Sequence, residues 1–223
     1  DGAARQCSPA NDDYWEIHAR IGLPRFQQGT PPYENPEDGG GFVTDGSGRP
    51  SVVATEQVCL LMTIPKVSAE PPIGFPVVIY GHGTGGAFTA PIGDGLATDF
   101  ANGGPRAITV AIDMPLHGSR RNGSTRSPDG LVYNFANPRA ARDNFLQGAA
   151  DLMSLVFWAE SYVLPAADAP TDFDVRFDPS RMVVFGHSQG ATHAQLMVPY
   201  EPGILAALLS GAGGDLTESL LTK

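Results

Sequence analysis

The sequence predicts an α/β fold, a mostly parallel sheet flanked by crossover helices. Three observations carry this. From about residue 55, short β-branched runs alternate with stretches of helical period. Hydrophobic residues make up 42% of the 223, enough for a packed core and too many for a disordered chain. The 27 glycines and 20 prolines disfavour a helical bundle or coiled coil. The charge is acidic, with 14 Lys+Arg against 24 Asp+Glu and a net −10. That balance argues against nucleic acid or an anionic membrane as the main partner. No apolar run approaches the roughly 20 residues that span a bilayer.

Residues 1–54, rich in Gly, Pro, Asp and Asn, read as an N-terminal arm of strands and turns, and residues 55–223 as the main domain. Asp12, Asp13, Asp38 and Asp45 match no calcium-loop spacing and read as solvated turns. The sequence opens at Asp1 without a methionine, which predicts removal of an upstream segment and export. For an exported chain with two cysteines, Cys7 and Cys59, the expectation is a mutual disulfide. In the chain-entropy model such a loop of ~50 residues contributes roughly 4 kcal/mol; the alternative is two unrelated buried thiols.

Strands are expected at Val58–Ile64, Pro76–Tyr80, Ala107–Ile112, Met182–Phe185 and Leu205–Leu209. Helices are expected at Gly95–Asn102, Asp143–Tyr162 and Gln189–Val198. The long helix carries Phe145, Ala149, Leu152, Val156 and Ala159 three or four apart, a buried stripe. Pro199 stops the last one.

Two loops carry chemistry. Gly186-His187-Ser188-Gln189-Gly190 follows an apolar strand and opens a helix, which is G-x-S-x-G in strand–turn–helix context. A serine at so sharp a turn is strained and projects its hydroxyl. The flanking glycines Gly186 and Gly190 avoid collision where helix meets strand, and the helix N-terminus faces a developing oxyanion. Gly81-His82-Gly83-Thr84-Gly85-Gly86 follows the strand Pro76–Tyr80. It satisfies G-x-G-x-x-G, with Asp113 in the place of a ribose-binding acid. A dinucleotide site is nevertheless the weaker reading. Asp113 is too distant, no strong helix starts at the glycines, and an oxyanion loop explains Ser188 as well.

On these residues, and on the segments Ile112–Gly118 and Arg142–Gln147, the chain from about residue 55 resembles the α/β-hydrolase superfamily. It is most similar to secreted bacterial lipases and esterases, including the bacterial virulence-factor lipase group. The resemblance implies acyl transfer by a triad in the order Ser, acid, His. It makes Ser188 the nucleophile and the backbone N–H groups of Thr84 and Gln189 the oxyanion hole, with His82 and Gly83 supporting the loop. It implies no cofactor, an ester substrate with a lipid-like one admitted, and a secreted, periplasmic or cell-surface bacterial location; no set of His, Asp and Glu has the spacing of a catalytic metal site.

The chain departs from this pattern after Ser188, where only His193 follows, turned away on the next helix. Asp215 is a candidate acid, after the strand Leu205–Leu209. His117 reads as a pocket-lining or structurally bonded residue, and His18 carries no functional argument. The expectation is therefore that the hydrolase lacks its last strands here. A C-terminal segment, or a second chain cleaved from the same precursor at Lys223, would supply the base and acid. Two other readings remain open, a serine peptidase of the same fold and a non-catalytic hydrolase-fold binding protein.

Overall fold

In a computed structural model that describes residues 7–214, one seven-stranded sheet organises the chain. The strand β1 (Tyr14–Arg25) forms one edge, and β2 (Gln27–Gly29) pairs with β3 (Gly39–Phe42) in a separate ribbon. Then come β4 (Ala54–Pro65), β5 (Phe75–Gly81), the short helices α1 (Ala90–Gly93) and α2 (Leu96–Asn102), and β6 (Ile108–Ile112). The helices α3 (Pro128–Val132) and α4 (Pro138–Ala159) lead to β7 (Val163–Leu164), β8 (Val175–His187), α5 (Gln189–Met197) and β9 (Ala206–Ser210). The sheet order is β1-β4-β6-β5-β8, with β7 and β9 both paired to β8. Pairing is antiparallel for β1–β4, β4–β6 and β7–β8, and parallel for β6–β5, β5–β8 and β8–β9. The sheet is mixed and flanked by helices, the α/β-hydrolase architecture.

Strand alternation decides the layers. Leu60, Met62, Val77, Ile79, Val110, Ile112 and Val184 face Leu152, Leu155 and Val156 of α4 and Ala194 of α5 in one core. Cys59, Leu61, Tyr80 and Ala111 point to the other face, beneath Phe88. Each fully buried Ile, Leu or Val contributes about 1.5–3 kcal/mol, so the apolar strands hold the sheet that carries the loops.

The expected elements are present with shifted ends. The helix expected from Asp143 starts at Pro138, because Asn137 caps it by accepting the Ala140 N–H and proline suits its first turn. Twelve residues of the arm join the main sheet as β1, opposite Ala54–Pro65. The rest of the arm is stitched to α4 by buried amides. Asn137 Nδ2 donates to the carbonyls of Tyr33, Asn35 and Gly39, and Gln27 Nε2 donates to Asn144 Oδ1 at 2.9 Å. Phe42 N–H donates to Asp143 Oδ2 at 2.8 Å.

The expected disulfide is corrected: both thiols are free, Cys7 exposed and Cys59 buried. Cys7 Sγ lies 3.7 Å from the Glu16 carbonyl, whereas Cys59 sits opposite Arg20. Four residues along a strand span about 13 Å, far beyond the reach of an S–S bond.

Candidate active site

The parallel strands β5 and β8 end side by side, with Gly81 opposite Gly186, so the two glycine-bearing loops meet at one end of the sheet. Ser188 caps the N-terminus of α5 at φ 52°, ψ −115°, a left-handed conformation that costs a non-glycine residue about 1–3 kcal/mol. The close approach explains the flanking residues. A Cβ on Gly190 would lie 2.0 Å from the Gly81 carbonyl oxygen, and one on Gly186 would lie 2.5 Å from the Ala191 Cα. Across the gap, a Cβ on Gly83 would stand 3.1 Å from the Ser188 Cβ. The elbow is also tied to β9, for Ser188 N–H donates to the Ser210 carbonyl at 2.7 Å.

A largely buried polar chain couples the two loops. Thr84 Oγ1 donates to Gln189 Oε1 at 2.9 Å, and Gln189 Nε2 lies 3.0 Å from His193 Nε2. His193 Nδ1 lies 3.2 Å from the Phe145 carbonyl. An amide nitrogen can only donate, so His193 Nε2 accepts and its Nδ1 carries the proton. Space for this ring comes from Gly148 in the middle of α4, where a Cβ would lie 2.3 Å from His193 Nδ1. The sequence offered a faint signal here, since a mid-helix glycine costs about 1 kcal/mol and asks for a packing reason. His193 is fully buried, and both its ring nitrogens are taken, by Gln189 and by the Phe145 carbonyl.

His82 and His117 brace the glycine loop in the same tautomer. Met114 N–H donates to His82 Nε2 at 3.0 Å and Gly85 N–H to His117 Nε2 at 2.9 Å. Their Nδ1 atoms lie 2.8 and 2.9 Å from the carbonyls of Gly83 and Pro115. The rings touch edge-on with centroids 4.8 Å apart. His187 is exposed, with Nδ1 3.3 Å from Ser210 Oγ, and His18 lies on β1 beside Glu16. Asp113, the decoy ribose acid, is buried and accepts the Phe88 N–H at 3.1 Å. Asp215 lies outside the described residues.

Beneath the loops is an ion-pair network that the sequence did not announce. Buried Arg120 donates to Asp151 Oδ2 at 2.7 Å, to Glu56 Oε2 at 2.9 Å and to the Asp113 carbonyl at 3.0 Å. Gln147 Nε2 donates to the other Asp151 oxygen at 2.8 Å. Burial works against the Arg120 charge, but Asp151 and Glu56 overcome it and raise its pKa. A carboxylate beside the apolar stripe of α4 was the available hint; its partner 31 residues away was not.

The buried histidines should make the fold acid-sensitive. Burial, helped by the neighbouring His117, pushes His82 down from 6.5 to about 4, and burial pushes His193 to about 3. Between pH 6.5 and 4 the unfolded chain therefore binds protons that the folded chain refuses, so stability falls as pH falls. His82 alone accounts for a loss of about 3 kcal/mol by pH 4. Urea denaturation across this window should show the decline, with one proton less of slope in His82→Gln. An equal slope in that variant would refute the assignment.

No protein-family model matches the chain, and no curated protein matches it in sequence. Solved structures do. A peroxisomal α/β-hydrolase of Saccharomyces cerevisiae superposes with TM-score 0.51 at 14% identity, over 88% of this chain and 45% of that one. A putative dienelactone hydrolase of Klebsiella pneumoniae gives TM-score 0.47 at 16% identity, over 89% of this chain and 62% of that one. An acetyl xylan esterase of Paenibacillus sp. R4 gives 0.48 at 18% identity, over 70% and 44%. The chain thus spans less than two thirds of each of these proteins, and its fold is that of the α/β-hydrolases.

Proposed function

We propose that this chain is the nucleophile-bearing part of a secreted bacterial serine ester hydrolase, a carboxylesterase or lipase. The observation that carries the reading is the strained Ser188 at the mouth of α5, held against the Thr84 loop by glycine contacts. Ser188 Oγ attacks the acyl carbonyl and the alcohol leaves; water then hydrolyses the acyl-enzyme. The N–H groups of Thr84 and Gln189, with the positive end of α5, stabilise the oxyanion. The base is assigned to a residue beyond this sequence. The buried histidines are committed to bonds inside the protein, and an unassisted serine is a weak nucleophile. A C-terminal segment or a second chain from the same precursor would bring it, laid against β9, where Leu208 and Leu209, and Leu205 just before the strand, are exposed. Asp215 stays a candidate acid within that proposal.

Native enzyme should hydrolyse a short p-nitrophenyl ester far faster than a peptide anilide and should be labelled by a fluorophosphonate on Ser188. A faster anilide rate would instead indicate a peptidase, and absence of label a binding protein. A denaturing gel of active enzyme should show either a companion fragment or a chain heavier than 23.4 kDa. Thr84→Val keeps the donating N–H but strands Gln189 Oε1, so kcat should fall about tenfold, the worth of about 1–2 kcal/mol. A loss comparable to that of removing Ser188 would mean the loop has been misread.

A further inference from the structure

We propose that Cys7, Glu16 and His18 form a binding site for a divalent metal of the zinc class, separate from the Ser188 site. One sulfur, one carboxylate oxygen and one ring nitrogen lie within 4.8 Å of one another. Glu16 and His18 are two apart on β1 and so share a face, and the arm brings Cys7 back across them. The site is already oriented. His18 Nε2 lies 2.6 Å from Glu16 Oε1, the other carboxylate oxygen accepts the Ser8 N–H at 2.9 Å, and the His18 ring meets Phe88 edge-on at 4.9 Å. The His18 and Glu16 side chains are 13% and 6% exposed, so a largely buried carboxylate and imidazole converge beside an exposed thiol.

The geometry fits a tetrahedral ion. Bonds of about 2.0–2.3 Å set neighbouring donors about 3.3–3.8 Å apart. The His18–Glu16 pair must open by less than about 1 Å and the thiol close by a similar amount. A thiolate, an imidazole and a carboxylate together favour Zn²⁺ or Co²⁺ over Ca²⁺ or Mg²⁺. On binding, the Cys7 thiol proton leaves to solvent, and two anionic ligands then match the dication. Cys7 and Glu16 also line a cavity of about 510 Å³ bounded by Trp15 and Lys66, which gives the ion a path and leaves its fourth position to water. A bound ion would clasp the arm to the edge strand β1.

The test uses the full chain, stripped by chelator and titrated with Co²⁺ and then Zn²⁺. Wild type should take up one equivalent, with a near-ultraviolet thiolate-to-cobalt band that Zn²⁺ removes. Zn²⁺ should also slow iodoacetamide alkylation of Cys7 at least about tenfold. Cys7 is exposed, so Cys7→Ser should fold normally and lose the band, whereas Cys59→Ala should keep it. His18→Gln should weaken uptake by at least about tenfold, since even outer partners of a metal ligand are worth that much. No uptake by wild type at micromolar Co²⁺, or a band that survives in Cys7→Ser, overturns the site. Neither readout depends on hydrolytic activity.

Discussion

If Ser188 is the nucleophile of the proposed ester hydrolase, its replacement by alanine should abolish ester hydrolysis, with a loss in kcat of about a million-fold. The residual rate would come from substrate binding and the oxyanion donors, which the variant retains. The fold should survive unchanged. Alanine removes only a hydroxyl, and the strain at φ 52° belongs to the backbone, so it stays. Circular dichroism and a urea midpoint equal to wild type would separate lost chemistry from lost structure. Retention of more than a few per cent of the rate would end the assignment of Ser188 as nucleophile, whatever the fold.

The second large effect should be on stability, in Arg120→Met. Methionine fills much of the arginine volume but leaves Asp151, which is 0% exposed, with Gln147 as its remaining donor and Glu56 without its guanidinium. Breaking a buried pair from one side costs about 3–5 kcal/mol, because the stranded carboxylate loses the charge that compensated its own. Replacing both partners, in Arg120→Met with Asp151→Leu, should recover part of that loss. The Arg120 bond to the Asp113 carbonyl also supports the turn whose Met114 N–H holds His82, so kcat should drop with stability. Urea midpoints of the three variants decide it. A single-variant loss under about 1 kcal/mol would show the network to be dispensable.

The sequence by itself determined the parts that depend on neighbouring residues. Short β-branched, apolar runs marked the strands that became β4, β5, β6, β8 and β9, and the three-and-four spacing from Phe145 to Ala159 marked α4. The elbow was legible because sterics are local: a serine forced to positive φ needs small neighbours, and Gly186 and Gly190 stand where any Cβ would strike backbone. Helix starts were harder to read, since the Asn137–Pro138 signal precedes the apolar stripe.

Only the tertiary structure decided which distant side chains meet. It set Cys7 beside Glu16 and His18 and away from Cys59, because the arm crosses β1 four residues from the position opposite Cys59. It gave His193 to Gln189 and Phe145, His82 and His117 to the glycine loop, and Arg120 to Asp151 and Glu56. The physical reason is range. Periodicity and backbone strain act over a few residues and leave their mark in the order of residue types. A hydrogen bond between residues 48 or 101 positions apart depends on the path of everything between them, and that path is written nowhere but in the packed fold.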